Sequence, residues 1–291
     1  MNGPPDILTI DVEEWFHGHN YLATVPPALW AEQPSRVVAN TECCLDLLAR
    51  HSVRATFFVL GWTAERHPAL VRRIAEAGHE IGCHSYGHPQ VHELDRAAFL
   101  ADLDRALAAL RTAGVTRVDG YRAPSFTLLP PVHGYLELLR DRGFRYDSSL
   151  FPVRHPRYGQ TRAPRHPFRL AGPRPFVEVP MTTVRGVGQN WPFSGGGYLR
   201  LLPLPVYTVL RACARRQGVP VIIYLHPWEL DAWRPEVRLD PVTRLRSQGG
   251  QLAMPRKLAA LLARGRFQAM GDYVASRLDA GDLPERTLPL V

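Results

Sequence analysis

Hydrophobic and polar positions alternate between two periods through the first half of the chain. Residues 7–10 (ILTI) make a short strand that ends at Asp11. Ser35 then caps a helix whose apolar positions Val37, Val38, Thr41, Cys44, Leu45 and Leu48 recur at helical spacing. Residues 55–60 (ATFFVL) read as a buried strand, and the helix after it has Pro68 in its first turn and Gly78 just past its end. A strand at 80–83 follows. Asp95 caps a long helix with Phe99, Leu100, Leu103, Leu107 and Leu110 on one stripe, and Gly114 stops it. Further strands are expected near 117–121, 176–179 and 221–225. Strands alternating with helices predict an α/β fold with a parallel sheet, and over 291 residues a (β/α) barrel.

Residues 151–204 break this alternation and are dense in proline, glycine and arginine. Aromatics keep recurring there and both flanks look like core strands. The stretch therefore reads as an ordered excursion within one domain spanning 1–291. The apolar run 198–210, followed by Arg211, Arg215 and Arg216, has the makings of a dock on an anionic membrane. Pro203 and Pro205 interrupt it, and a buried helix fits better, with the arginines on its solvated side and at its C-terminal end. A stable membrane dock is not expected.

Composition narrows the classes further. With 45% hydrophobic and 21% charged residues, wholesale disorder and collagen-like repeats are excluded, and no apolar run reaches the length of a bilayer-spanning helix. The net charge of +8 comes almost wholly from arginine, with Lys257 the single lysine. No basic-aromatic cluster or recognised module supports nucleic-acid binding, whereas an anionic glycan or a membrane surface suits a diffuse positive field. Cys43, Cys44, Cys83 and Cys213 form no CxxC pair and read as reduced thiols. The N-terminal stretch lacks the features of a secretory signal, so a cytoplasmic location is expected.

Candidate chemistry sits at the C-terminal ends of predicted strands, where barrel enzymes assemble their sites. In an extended segment Asp11 and Glu13 share a face, which suits one carboxylate on a metal beside another acting as base; alternatively they are surface acids capping the next element. His84 and His88, four apart across a glycine, can converge on one ion. The strand at 221–225 delivers His226, a candidate general acid with Trp228 as its shield, or simply a histidine that ends a strand. Arg122 is placed to orient a catalytic carboxylate, or else is a surface arginine before a proline turn. Tyr86, Pro124 and Trp228, inside these motifs, are candidates for substrate contact. His17, His19, His79 and His92 lie nearby without ligand spacing.

The ordered set TIDVEEW, HSYGH, RAPS and YLHP resembles the polysaccharide deacetylases of carbohydrate esterase family four, the NodB-homology domain. The resemblance implies a distorted (β/α) barrel that removes N-acetyl groups from hexosamine with a divalent metal, zinc first and cobalt or nickel as substitutes. It implies His84 and His88 as ligands, a base and a further ligand from the acid motif, Arg122 orienting the base and His226 as general acid. YDSSLFPVRHPRYG, GGGYLRLLP and YLHPWELD are similar to an exopolysaccharide-locus branch linked to exosortase (PEP-CTERM) sorting systems, which has its own C-terminal extension. The chain departs from the family at Val12, which replaces the second of two adjacent aspartates. Glu13 then becomes the ligand and Asp11 the base, because Glu14 points away; if the strand has broken into a turn there, Asp11 itself meets the ion. A cyclic-amide hydrolase of the same superfamily and a non-catalytic glycan-binding module are the rival readings. An acetylated glycan is the expected partner.

Overall fold

The computed structural model describes residues 4–290; residues 1–3, part of the N-terminal stretch considered above, and Val291 lie outside it. Its strands are β1 (Asp6–Val12), β2 (Thr56–Val59), β3 (Glu80–Cys83), β4 (Gly120–Tyr121), β5 (Tyr146–Asp147), β6 (Phe168–Leu170), β7 (Val177–Glu178), β8 (Thr183–Gly186), β9 (Gln189–Pro192), β10 (Ile222–Leu225), β11 (Phe267–Gln268) and β12 (Glu285–Arg286). The helices are α1 (Val37–Arg50), α2 (Gly61–Arg66), α3 (Pro68–Glu76), α4 (Arg96–Thr112), α5 (Tyr135–Asp141), α6 (Gly196–Leu201), α7 (Leu204–Arg216), α8 (Pro241–Gln248), α9 (Met254–Arg264) and α10 (Met270–Ala280).

The main sheet runs β10-β1-β2-β3-β4-β5-β7-β6-β12, with β11 also on β1, while β8 and β9 form a separate antiparallel pair. From β10 to β7 every pairing is parallel. The α/β class and parallel sheet are as expected. Barrel closure is not seen among the described residues, where the end strands β10 and β12 do not pair with each other. Excursion strands extend the sheet there instead, β6 running antiparallel to β7 and pairing with the C-terminal edge strand β12.

Register decides where the chemistry emerges. Val12, Val59, Cys83, Tyr121 and Asp147 lie in one row across β1 to β5, and Leu225 lies opposite Ile10. The next residue on each strand therefore leaves the sheet at a common edge, so that Glu13, His84 and Arg122 emerge side by side and His226 beside Asp11. Beneath that edge Phe57, Val59, Ile10 and Tyr121 are buried, each large apolar side chain contributing about 1.5–3 kcal/mol.

Three expectations change in the fold. Ser35 does not cap α1. Glu14 arrives from the end of β1 and accepts the Arg36 and Val37 backbone N–H groups at 3.0 and 3.2 Å, and Ser35 donates to the same carboxylate. A carboxylate serves the electropositive helix start better than a hydroxyl. Two of the α7 arginines turn inward, while Arg216 stays exposed at the C-terminal end of the helix as expected. Arg211 and Arg215 both donate to Asp6, buried at the foot of β1, at 2.9 and 3.1 Å, because a buried carboxylate needs a partner. Val209 is left 61% exposed on that helix. The strand expected near 117–121 shortens to β4. Asp95 does cap α4, accepting the Ala98 N–H at 2.8 Å.

Candidate active site

Glu13, His84 and His88 present one ligand atom each within 4.8 Å of one another. Glu13 Oε2 lies 2.9 Å from His88 Nε2 and 4.0 Å from His84 Nε2. This buried oxygen makes no hydrogen bond of acceptable geometry. Such an orphaned acceptor fits a cation better than a proton donor. His84 Nδ1 donates to the Arg122 carbonyl at 2.8 Å, which leaves the Nε2 lone pair facing Glu13. Burial, reinforced by His88, pushes His84 down to about 4, so the neutral, metal-binding imidazole prevails. His88 is folded back towards His84 by positive φ at Ser85 (62°) and His88 (53°), a turn pinned by Asp102, which accepts the Tyr86 and Gly87 N–H groups. One carboxylate and two imidazoles suit zinc, with cobalt and nickel as substitutes, and leave coordination positions for water or substrate.

On one side of this cluster stands Asp11. Arg122, fully buried, donates from Nη1 to Asp11 Oδ1 at 2.7 Å and to Thr9 Oγ1 at 2.8 Å, and from Nε to the Ser148 carbonyl at 3.3 Å. The guanidinium lies 4.3 Å from the Phe58 ring centroid. These contacts fix the carboxylate while Asp11 still lines the cleft.

On the other side stands His226, with Nε2 3.3 Å from Glu13 Oε1 and Nδ1 2.9 Å from Glu229 Oε1. Burial opposes its charge, but Glu13 and Glu229 outweigh that and raise its pKa to about 9, so it is protonated at neutral pH. Burial likewise opposes ionisation of Glu13, and the fields of His88 and His226 outweigh it and hold the carboxyl below its usual range. Trp228 stacks on the His226 ring at 5.1 Å and 16°. Arg200 Nε donates to Glu229 Oε2 at 2.6 Å. Gly196 makes this possible: a Cβ there would lie 2.2 Å from the Glu229 carboxylate. The glycine run of the excursion thus admits the group that orients His226.

Residues 32–143 match the family model for polysaccharide deacetylase, and residues 148–275 match a domain of unknown function (DUF3473). The first segment is similar to polysaccharide deacetylase domains. It contains His84, His88 and Arg122; Asp11 and Glu13 precede it, and His226, Trp228 and Glu229 fall in the second segment. A peptidoglycan-N-acetylglucosamine deacetylase of Bacillus cereus is 40% identical over 93 residues, 32% of this chain and 31% of that protein. A chitin deacetylase of Colletotrichum lindemuthianum is 33% identical over 117 residues, 36% of this chain and 45% of that one. The chain thus spans less than half the length of these relatives. A crystal structure from Mycobacterium smegmatis, assigned as a polysaccharide deacetylase, superposes with a TM-score of 0.65 at 25% identity, covering 99% of this chain and 95% of that one. The peptidoglycan deacetylase PdaC of Bacillus subtilis shares the fold at a TM-score of 0.50 and 15% identity, covering 97% and 96%.

Around the deacetylase motifs, two expected contact residues lie elsewhere. Tyr86 turns away from the cleft, its hydroxyl bonded to Glu65 and its ring under the Arg105 guanidinium at 3.7 Å. Aromatic packing against α2 and α4 wins over exposure there. Pro124 is buried and its carbonyl accepts from Thr127 Oγ1 at 2.7 Å; its neighbours Ala123, Ser125 and Phe126 line the cleft instead. Trp228 does line it. Sequence reasoning missed Glu229 and Arg200, although the spacing H-x-x-E after the strand at 221–225 was a readable signal for the first. It also passed over His17, whose ring stacks 6.3 Å from that of His88 and whose Nδ1 accepts the Glu14 N–H at 3.0 Å.

Proposed function

We propose that the chain hydrolyses N-acetyl groups on a hexosamine-containing glycan, with Glu13, His84 and His88 holding a divalent metal, zinc first. One observation carries this reading: a carboxylate-and-two-imidazole set lies between an arginine-held carboxylate and a histidine oriented by Glu229. The names of the relatives, which give peptidoglycan and chitin, support an acetylated glycan as the substrate class.

A bound divalent ion would supply Lewis-acid polarisation of the acetyl carbonyl and a lowered pKa for water. Asp11, fixed by Arg122, accepts the proton of the attacking water. His226 donates a proton to the departing nitrogen, and Glu229, accepting from Nδ1, keeps Nε2–H directed into the cleft. Each positioned proton transfer is worth about 10²–10⁴-fold in rate. Trp228 covers one face of His226 and limits its access to water.

The two matched segments act as one catalytic unit, a reading supported by β1, which ends beside Asp11 and pairs with β2 of the first segment on one side and β10 of the second on the other. A place in exopolysaccharide assembly is supported by the resemblance of 146–159 and 195–203 to the exosortase-linked branch. Acetate release from chitin-like, peptidoglycan-like and lipid-linked acetylated oligosaccharides tests the function, comparing metal-loaded protein with chelator-treated protein. Release from at least one, abolished by chelation and restored by zinc, is expected. Metal-loaded protein that releases acetate from none overturns the reading.

A further inference from the structure

The cleft holds more positive charge than the proposed chemistry uses. Arg122 is paired with Asp11 and Arg200 with Glu229, but Arg157 and Arg246 line the same cavity of about 280 Å³. Among the described residues neither of these two side chains has a carboxylate or hydrogen-bond partner; only their backbones bond, Arg157 through N–H and Arg246 through its carbonyl. Burial and the positive field of Arg246 pull the Arg157 guanidinium below its usual range, with Tyr158 opposing. His155 and His19, also in the cleft, are depressed by burial and by Arg157, and the carboxylates lining it are engaged elsewhere: Asp11 by Arg122, Glu229 by Arg200, and Glu13 in the candidate ligand set. Glu93 faces His19 and is itself bonded to Gln90.

Both arginines stand on braced backbone. The loop carrying Arg157 is clamped by ring stacking of His155 on Tyr158 (3.7 Å, 12°) and of Tyr158 on Phe151 (5.3 Å, 16°). Arg157 N–H donates to His155 Nδ1 at 3.3 Å. Arg246 lies near the end of α8, and its carbonyl accepts at 2.8 Å from Arg200, the guanidinium that also holds Glu229. Asn20 ties the same turn down through Ser247 Oγ at 3.0 Å. Arg157, half-buried, and Arg246, exposed, are therefore held in one cavity with His226 by contacts that reach the catalytic wall. No carboxylate of the described residues engages either guanidinium, so an anion entering the cleft can take both.

We propose that Arg157 and Arg246 form an anion subsite, so that the acetylated glycan processed here carries a carboxylate or phosphate near the acetamido group that reacts. The inference rests on the deacetylase reading above and adds the charge of the substrate. Guanidinium forks match either oxyanion bidentately, and their field steers an anionic chain into the cleft. Both residues belong to the 148–275 segment, which thereby acquires a role in substrate choice.

The test compares kcat/KM of zinc-loaded wild type, Arg157→Gln and Arg246→Gln on three N-acetylated oligosaccharides of equal length. One is neutral, one contains a uronic acid and one bears a diphosphate at its reducing end. Wild type should prefer at least one anionic substrate by roughly ten- to hundredfold, the size of a lost charge-assisted hydrogen bond, mainly through KM. That preference should shrink towards unity in each variant and in high salt. Which anion is preferred separates carboxylate from phosphate. Equal kcat/KM for all three substrates in wild type, or a preference that survives both substitutions, overturns the proposal. If no substrate is hydrolysed, the deacetylase reading falls, and calorimetric titration with glucuronate and inorganic phosphate reads the subsite directly. Binding by wild type that both variants lose supports it, and no binding overturns it.

Discussion

The two walls of the cleft are built differently. One comes from strand ends: Asp11 lies near the end of β1, Glu13, His84 and Arg122 follow β1, β3 and β4 directly, and all four are almost fully buried. The other comes from loops and short helices of the second half, where Arg157, Trp228 and Arg246 remain in part open to solvent. On the first wall each charge has a partner inside the molecule or a place in the ligand set. On the second, Glu229 and Arg200 are paired but two arginines are not. A paired, register-locked wall suits chemistry that tolerates little displacement, and a partly exposed wall with spare charge suits choice among substrates.

The sharpest way to break this contrast is to remove a ligand from the first wall. His84→Ala and His88→Ala should each lose the metal and abolish activity, since one ligand carries several of the about 10–16 kcal/mol typical of bound structural zinc. Metal analysis beside turnover checks this, and stoichiometric metal with near-normal turnover in either variant would refute the assignment.

Within that wall, Asp11→Asn and Glu13→Gln should part company. Asp11→Asn should lower kcat by roughly 10²–10⁴-fold with the metal retained, and Glu13→Gln should lose metal as well. The opposite pattern would make Asp11 the ligand.

On the second wall, Glu229→Gln removes the carboxylate that orients His226. The expected loss is about 10–100-fold in kcat, with bound metal unchanged, as for other groups that act through a catalytic neighbour. A wild-type kcat in that variant would show that the His226 ring is held by Trp228 stacking alone.

The smallest effect lies at the foot of the first wall. His79 Nδ1 accepts the Ala55 N–H at 3.3 Å, and burial together with Arg54 lowers its pKa to about 4. The unfolded chain binds a proton near 6.5 that the folded one refuses until about 4, so stability should fall as pH drops through that window. With the group partly exposed, the loss is on the order of 1 kcal/mol. Urea titrations of wild type and His79→Gln at pH 7 and pH 4.5 should show a smaller acid loss in the variant.

The sequence alone determined the local and the periodic: the run at 80–83, the Asp95 cap of α4, Pro68 and Gly78 around α3, and the strand-end placement of Asp11, His84, Arg122 and His226. These features are encoded within a turn or two of chain, by side-chain period, cap chemistry and backbone preference. It also singled out Glu13 over Glu14, since alternation along an extended segment sends neighbours to opposite sides. What only the tertiary structure decided was long-range pairing. Glu14 reaches 22 residues to cap α1, Arg211 crosses 205 residues to Asp6, and Arg200 meets Glu229 through the gap left by Gly196. Tyr86 left the cleft for the same reason, its ring and hydroxyl finding Arg105 and Glu65 on elements distant in sequence. A buried charge or a large ring takes the partner that packing brings to it, and no sequence window contains both.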